Sequence, residues 1–77
     1  MIGYSKKLAE TNAEADGKML GVRLGKLCIK QGISVIEIAT HLKVSRTAVY
    51  NWFTGLNEIS SRYELEVKKL IERLKKA

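Results

Sequence analysis

Arg46, Thr47, Tyr50 and Asn51 are the side chains of this sequence best suited to reading a partner. They fall at i, i+1, i+4 and i+5, so on a helix they share one face. All four hydrogen-bond in ways that match base edges and phosphates of a duplex. Arg46 suits a bidentate contact to guanine, Asn51 one to adenine, and Thr47 a thymine methyl or a phosphate. Plainer readings stand beside these: Tyr50 can pack on a DNA backbone, and Thr47 can hydrogen-bond within its own helix.

Two short helices and a tight turn would position that face, over Ser34 to Gly55, SVIEIATHLKVSRTAVYNWFTG. The first helix is predicted over about Val35 to Leu42 and the second over about Arg46 to Phe53. Ser34 and Ser45 precede the two stretches, where a hydroxyl accepts a hydrogen bond from a free backbone N–H. Ile38, Ala39 and Leu42 form the apolar face of the first helix, and Ala48, Val49 and Trp52 that of the second. Val44 lies in the turn and fills the gap between them, while the small Ala39 lets the second helix approach closely.

This stretch resembles the helix-turn-helix of the phage repressor and Cro family, whose pattern reads roughly S-Q-x-x-L-A-x-x-L-G-V-S-x-x-x-V-x-x-W-x-x-G. Ser34, Ile38, Ala39, Leu42, Val44, Ser45, Val49, Trp52 and Gly55 stand at the matching places. The resemblance extends upstream through LGVRLGKLCIKQGIS, Leu20 to Ser34, which looks like the family's first helix and the glycine turn after it. Two places depart. Val35 stands where the family often has a Gln that touches a phosphate and braces the recognition helix, and Lys43 stands at the turn glycine. A lysine held left-handed there costs about 1 kcal/mol relative to glycine. A further pair departs together: many relatives carry Arg at the place of Cys28 and Glu at the place of Phe53, joined by a salt bridge. Losing both charges is the physically sensible change, and it implies that Cys28 touches Phe53; the alternative is an exposed Phe53. The resemblance implies base reading by Arg46, Thr47, Tyr50 and Asn51. Ser34, Lys43, Ser45, Thr54 and Asn57 are the expected phosphate set, with the amides around Asn57 placed where relatives clamp a phosphate.

Seventy-seven residues make one small domain, near the lower end of what folds without staples. A single cysteine excludes an internal disulfide and fits a reducing cytoplasm. No apolar run reaches the length of a membrane span, the N-terminus lacks a signal-peptide core, and the absence of Pro fits an all-helical chain. The net charge of +6, from 14 basic and 8 acidic residues, points to a polyanionic partner. A generic basic domain is the plainer reading of charge alone. The excess is concentrated, however. Residues 18–62 hold seven basic and two acidic side chains, a net of +5, against −1 for residues 1–17 and +2 for residues 63–77. Cys28 and His41 sit on different predicted helices, a poor zinc site. With one histidine and no Walker-type glycine loop, no catalytic constellation can be assembled. His41 reads as a solvated residue or at best a phosphate contact.

Met1 to Asp16 is mostly polar and reads as a frayed arm or a weak helix from about Ser5 to Ala15. Lys6 and Lys7 could embrace DNA, or Tyr4 and Leu8 could cover a core edge; because the stretch offers little core, its removal is expected to leave melting largely intact. Lys18 to Gln31 is predicted as the first core helix, with Asp16 a possible cap. Its stripe is Leu20, Leu24, Leu27 and Cys28, and Gly21 and Gly25 suggest a closely packed neighbour. Gly32 is the expected left-handed stop, with Ile33 tucked under the motif. A loop from Leu56 to Ser61 leads into a last helix, capped by Ser60 or Ser61. Its apolar stripe is Tyr63, Val67, Leu70, Ile71 and Leu74. Glu64–Lys68 and Glu72–Lys76 are the expected i, i+4 pairs. The stripe can complete the core; otherwise its outer edge is a dimer surface, and both hold if the helix is longer than the core needs.

The expected fold is all-α, four or five short helices in a repressor-like helix-turn-helix bundle. Residues 1–16 form an arm or weak helix and residues 17–77 the DNA-binding domain. The expected function is that of a small phage or bacterial transcriptional regulator, not an enzyme, with no cofactor and no small-molecule ligand. It would bind a pseudo-palindromic operator in double-stranded DNA as a homodimer, in a bacterial cytoplasm. The rival is a protein-interaction module, such as an antitoxin or assembly factor built on the same bundle.

Overall fold

The structure is a computed structural model that describes residues 6–76. Five helices follow in order, α1 (Lys6–Glu14), α2 (Leu20–Gln31), α3 (Val35–Leu42), α4 (Arg46–Phe53) and α5 (Ser61–Lys75), with no strand among the described residues. The fold is thus an all-α bundle. Its centre is α2, against which α1, α4 and α5 all pack, while α3 packs on α4.

The middle helices end where local chemistry dictates. The Ser34 hydroxyl accepts the Glu37 N–H at 3.1 Å and the Glu37 carboxylate accepts the Ser34 N–H at 2.9 Å, a reciprocal capping box. The Ser45 hydroxyl accepts the Ala48 N–H in the same way. At their C-terminal ends α2, α3 and α4 share one device. A left-handed residue follows each helix: Gly32 at φ 72°, Lys43 at φ 59° and Gly55 at φ 79°. At each, two amides turn back onto the last carbonyls, as Ile33 N–H does to Cys28, Val44 N–H to Ala39 and Leu56 N–H to Asn51. Lys43 therefore keeps the left-handed turn that glycine would make without strain.

The core takes Leu24, Cys28, Ile38, Val49, Trp52, Phe53, Val67, Ile71 and others from every helix. Cys28 and Phe53 are both fully buried, which rules out the exposed Phe53. Val22, outside the predicted stripe, is also fully buried, whereas Leu20 and Leu27 are only partly so. The two glycines of α2 mark a close helix approach. A Cβ on Gly21 would lie 2.7 Å from Trp52 Cβ and 2.8 Å from the Trp52 carbonyl oxygen, and one on Gly25 would lie 2.9 Å from Phe53 Cγ. On α5 the stripe Val67, Leu70, Ile71 and Leu74 is buried, and Tyr63 tilts against Trp52 with ring centroids 5.8 Å apart.

Four expectations are corrected. α2 begins at Leu20, not Lys18, because the Asp16 carboxylate accepts the Lys18 N–H and its carbonyl accepts the Met19 N–H, closing a turn before the helix. Ser60 takes the cap position of α5 without a side-chain cap hydrogen bond. Glu64 pairs with Lys68 at 3.2 Å, but Glu72 reaches Lys75, at i, i+3 and 3.8 Å, instead of Lys76. The largest correction concerns the expectation that residues 1–16 offer little core; of the two readings of this stretch, the helix is the one observed, and Leu8 does cover the core. Within the described part, α1 is docked, with Leu8 and Asn12 buried, so this segment contributes core. Tyr4 and Ser5 lie outside the described residues.

Candidate nucleic-acid interface

α4 has a buried side and an exposed one. Val49, Trp52 and Phe53 are buried and Ala48 is partly so; Arg46, Thr47 and Tyr50 are exposed, and Asn51 is half-buried. The two Gly contacts explain why the apolar side must face inward: they seat Trp52 and Phe53 against the backbone of α2. The outward face starts at the N-terminal end of α4, where first-turn N–H groups and the helix dipole favour an anion.

Lys43, Ser45 and Arg46 come together around one open hollow of about 530 Å³, walled on the α3 side by Ile36, Ala39 and Thr40. Two cations and a hydroxyl thus surround an apolar floor where the turn meets α4. Ser45 and Ser34 spend hydroxyl oxygens on capping, which leaves each proton available to a phosphate oxygen. Val35 is buried and offers no polar side-chain atom to a phosphate.

The C-terminal members of the expected set are differently placed. The Thr54 hydroxyl donates to the Tyr50 carbonyl at 2.9 Å, so its proton is engaged within the helix. The amides of Leu56 and Asn57 both donate to the Asn51 carbonyl, at 2.9 and 3.3 Å. Those two amides point into the turn, and Asn57 presents an exposed side chain beside them. His41 is exposed on α3.

The residue that sequence reasoning missed is Asn12. It is the only buried polar side chain among the described residues, at 2% exposure. Its side-chain amide donates to the Phe53 carbonyl at 2.6 Å and to the Val22 carbonyl at 3.2 Å, while the backbone carbonyl of Asn12 accepts from Lys26 Nζ at 3.3 Å. A polar side chain from α1 thereby ties off the C-terminal end of α4, whose last carbonyls have no partner within the helix. The only hint in the sequence is an Asn inside a weak helical pattern, four residues after Leu8.

Among the described residues no three His, Cys, Asp or Glu side chains gather as a metal site, and no helix is long and apolar enough to cross a membrane. No protein-family model, no curated protein and no solved structure matches the chain.

Proposed function

We propose that the chain is a sequence-specific double-stranded DNA-binding regulator that lays α4 in the major groove. The observation that carries this reading is the division of α4. Val49, Trp52 and Phe53 lock one side into the core, and Arg46, Thr47 and Tyr50 stand exposed on the other, with Asn51 at its edge. The major groove, about 12 Å wide, admits a helix of this kind. Lys43 and Arg46 at the turn supply phosphate and guanine contacts where the helix begins. The resemblance of residues 20–55 to the phage repressor and Cro helix-turn-helix points the same way. In this reading the protein acts in a bacterial cytoplasm, as a homodimer on a pseudo-palindromic operator, and regulates by occupancy and concentration. Leu65, exposed on α5, offers apolar surface for the two-fold contact.

Exposed apolar side chains also favour a second reading, the protein-interaction module: Ile36 is 56%, Leu56 72% and Leu65 63% exposed. Selection of binding sites from random duplexes, followed by a salt series on the selected duplex, separates the two. The DNA reading expects a recovered consensus and a linear fall of log affinity with log salt, steep enough to report several phosphate contacts. Failure to enrich any sequence, with no duplex binding at low salt, overturns it in favour of the protein partner.

A further inference from the structure

We infer that the seam between α2 and α5 is a docking groove for an acidic amphipathic helix of a partner protein. It goes beyond the DNA reading and does not depend on it. Two adjoining hollows of about 230 Å³ each lie along this seam. Leu20 and Ile71 floor the first, rimmed by Arg23 and Lys68. Leu27 and Ile71 floor the second, rimmed by Arg23, Lys26 and Lys75. Leu20 shares a hollow with Lys68 and Leu27 shares one with Lys75, so the two helices run the same way here and advance seven residues together. Seven residues of helix are about 10.5 Å, the distance over which a third helix repeats the same face. An occupant with apolar side chains at i, i+3 or i+4, and i+7 would fill both hollows.

The rim selects the sign of the occupant. Four cations face one carboxylate, Glu72, among the side chains lining the two hollows. Lys68 and Lys75 each have a carboxylate neighbour, at 3.2 and 3.8 Å, but these pairs are exposed and weak, so a partner's acids can compete for them. An occupant flanked by Glu or Asp on both sides of its apolar stripe matches the rim. A second copy presenting the same seam would set cations against cations. A duplex would meet the cations but leave the apolar floor without a partner.

The groove is also free when α4 is engaged. Gly21 and Gly25 face α4, and Arg23 stands about 200° round α2 from Gly21, at roughly 100° per residue. The groove therefore lies on the far side of α2 from the α4 contact.

The test uses the full chain and a fluorescent synthetic helix of about three heptads, with Leu at the seam positions and Glu flanking them. Fluorescence polarisation against a peptide of the same composition with scrambled Leu spacing should show at least about tenfold tighter binding of the patterned peptide. Amide shifts should map to α2 and α5. Arg23→Glu with Lys75→Glu should weaken binding by at least about tenfold, and a peptide with Lys in place of Glu should bind this variant better than the unaltered chain. That recovery keeps the result meaningful should the variant prove less stable. Equal binding of patterned and scrambled peptides, shifts confined to α3 and α4, or indifference to charge reversal would each overturn the inference. Displacement of the peptide by plain duplex would assign the seam to nucleic acid instead.

Discussion

Asn12 and Gly25 meet at the point where α1, α2 and α4 converge, and their joint replacement tests how the bundle holds α4. Asn12→Ala removes two hydrogen bonds, to the carbonyls of Phe53 and Val22. At about 0.5–1.5 kcal/mol each, the loss is about 1–3 kcal/mol. Gly25→Ala sets two effects against each other. Alanine gains about 1 kcal/mol of helix propensity over glycine. Its Cβ, however, would sit 2.6 Å from Asn12 Nδ2, 2.9 Å from Phe53 Cγ and 3.1 Å from Phe53 Cβ. Asn12 Nδ2 is the end of a side chain, but its two hydrogen bonds hold it in place, and Phe53 is fully buried. Overpacking of this kind costs about 1–3 kcal/mol, so the clash offsets or exceeds the gain and Gly25→Ala is expected to destabilise by up to about 2 kcal/mol. A 77-residue domain has only about 4–12 kcal/mol to lose, so either change should shift a urea melt followed by helical circular dichroism. In the double variant the clash with Nδ2 is gone and the one with Phe53 remains. The double variant should therefore cost about 1 kcal/mol less than the sum of the singles. Additivity within about 0.5 kcal/mol, or a Gly25→Ala protein more stable than its parent, would refute the contact.

Arg46→Ala is expected to relax base preference at one position of each half-site by about 1–3 kcal/mol, whereas Lys43→Ala should weaken all duplexes alike and flatten the salt slope; identical base-by-base profiles from the two would undo that division of roles. Deleting residues 1–15 should lower the melting temperature markedly, since it removes Leu8 and Asn12 from the core; unchanged calorimetric melting would show that α1 does not hold the bundle together. Cys28→Arg should destabilise by several kcal/mol, because it places one charge in a sealed site, and adding Phe53→Glu should restore much of the loss; a double variant as unstable as the summed singles would show that the two side chains do not meet.

The features legible in the sequence are those decided within one or two helical turns. α3 and α4 begin and end at the residues expected, because each start is a serine whose hydroxyl reaches an amide three residues on. Each stop depends on one left-handed residue, and the pattern located Lys43 even though the side chain there is the wrong one for comfort. The buried stripe of α5 follows from period alone. The outward position of Arg46, Thr47 and Tyr50 follows from the same periodicity, since an apolar face that must be buried leaves its opposite exposed.

Tertiary structure decided what depends on distant partners. Nothing local marks Asn12 as a core residue, because the carbonyls that satisfy it lie 10 and 41 residues away. A polar side chain reads as solvated until those acceptors are in place, so α1 read as an arm or a weak helix with little core. Gly21 and Gly25 announced a close approach, but only packing showed that Trp52 and Phe53 fill the space. Likewise the amides of Leu56 and Asn57 were free for a phosphate on paper, and the turn after α4 spends both on the Asn51 carbonyl. The charge of α2 and α5 was visible residue by residue; that Arg23, Lys26, Lys68 and Lys75 line one seam over a shared apolar floor required the two helices to lie side by side. Hydrogen bonds and periodic faces within a segment are short-range consequences of residue type, whereas satisfaction of buried polar groups and the joining of faces depend on which segments meet.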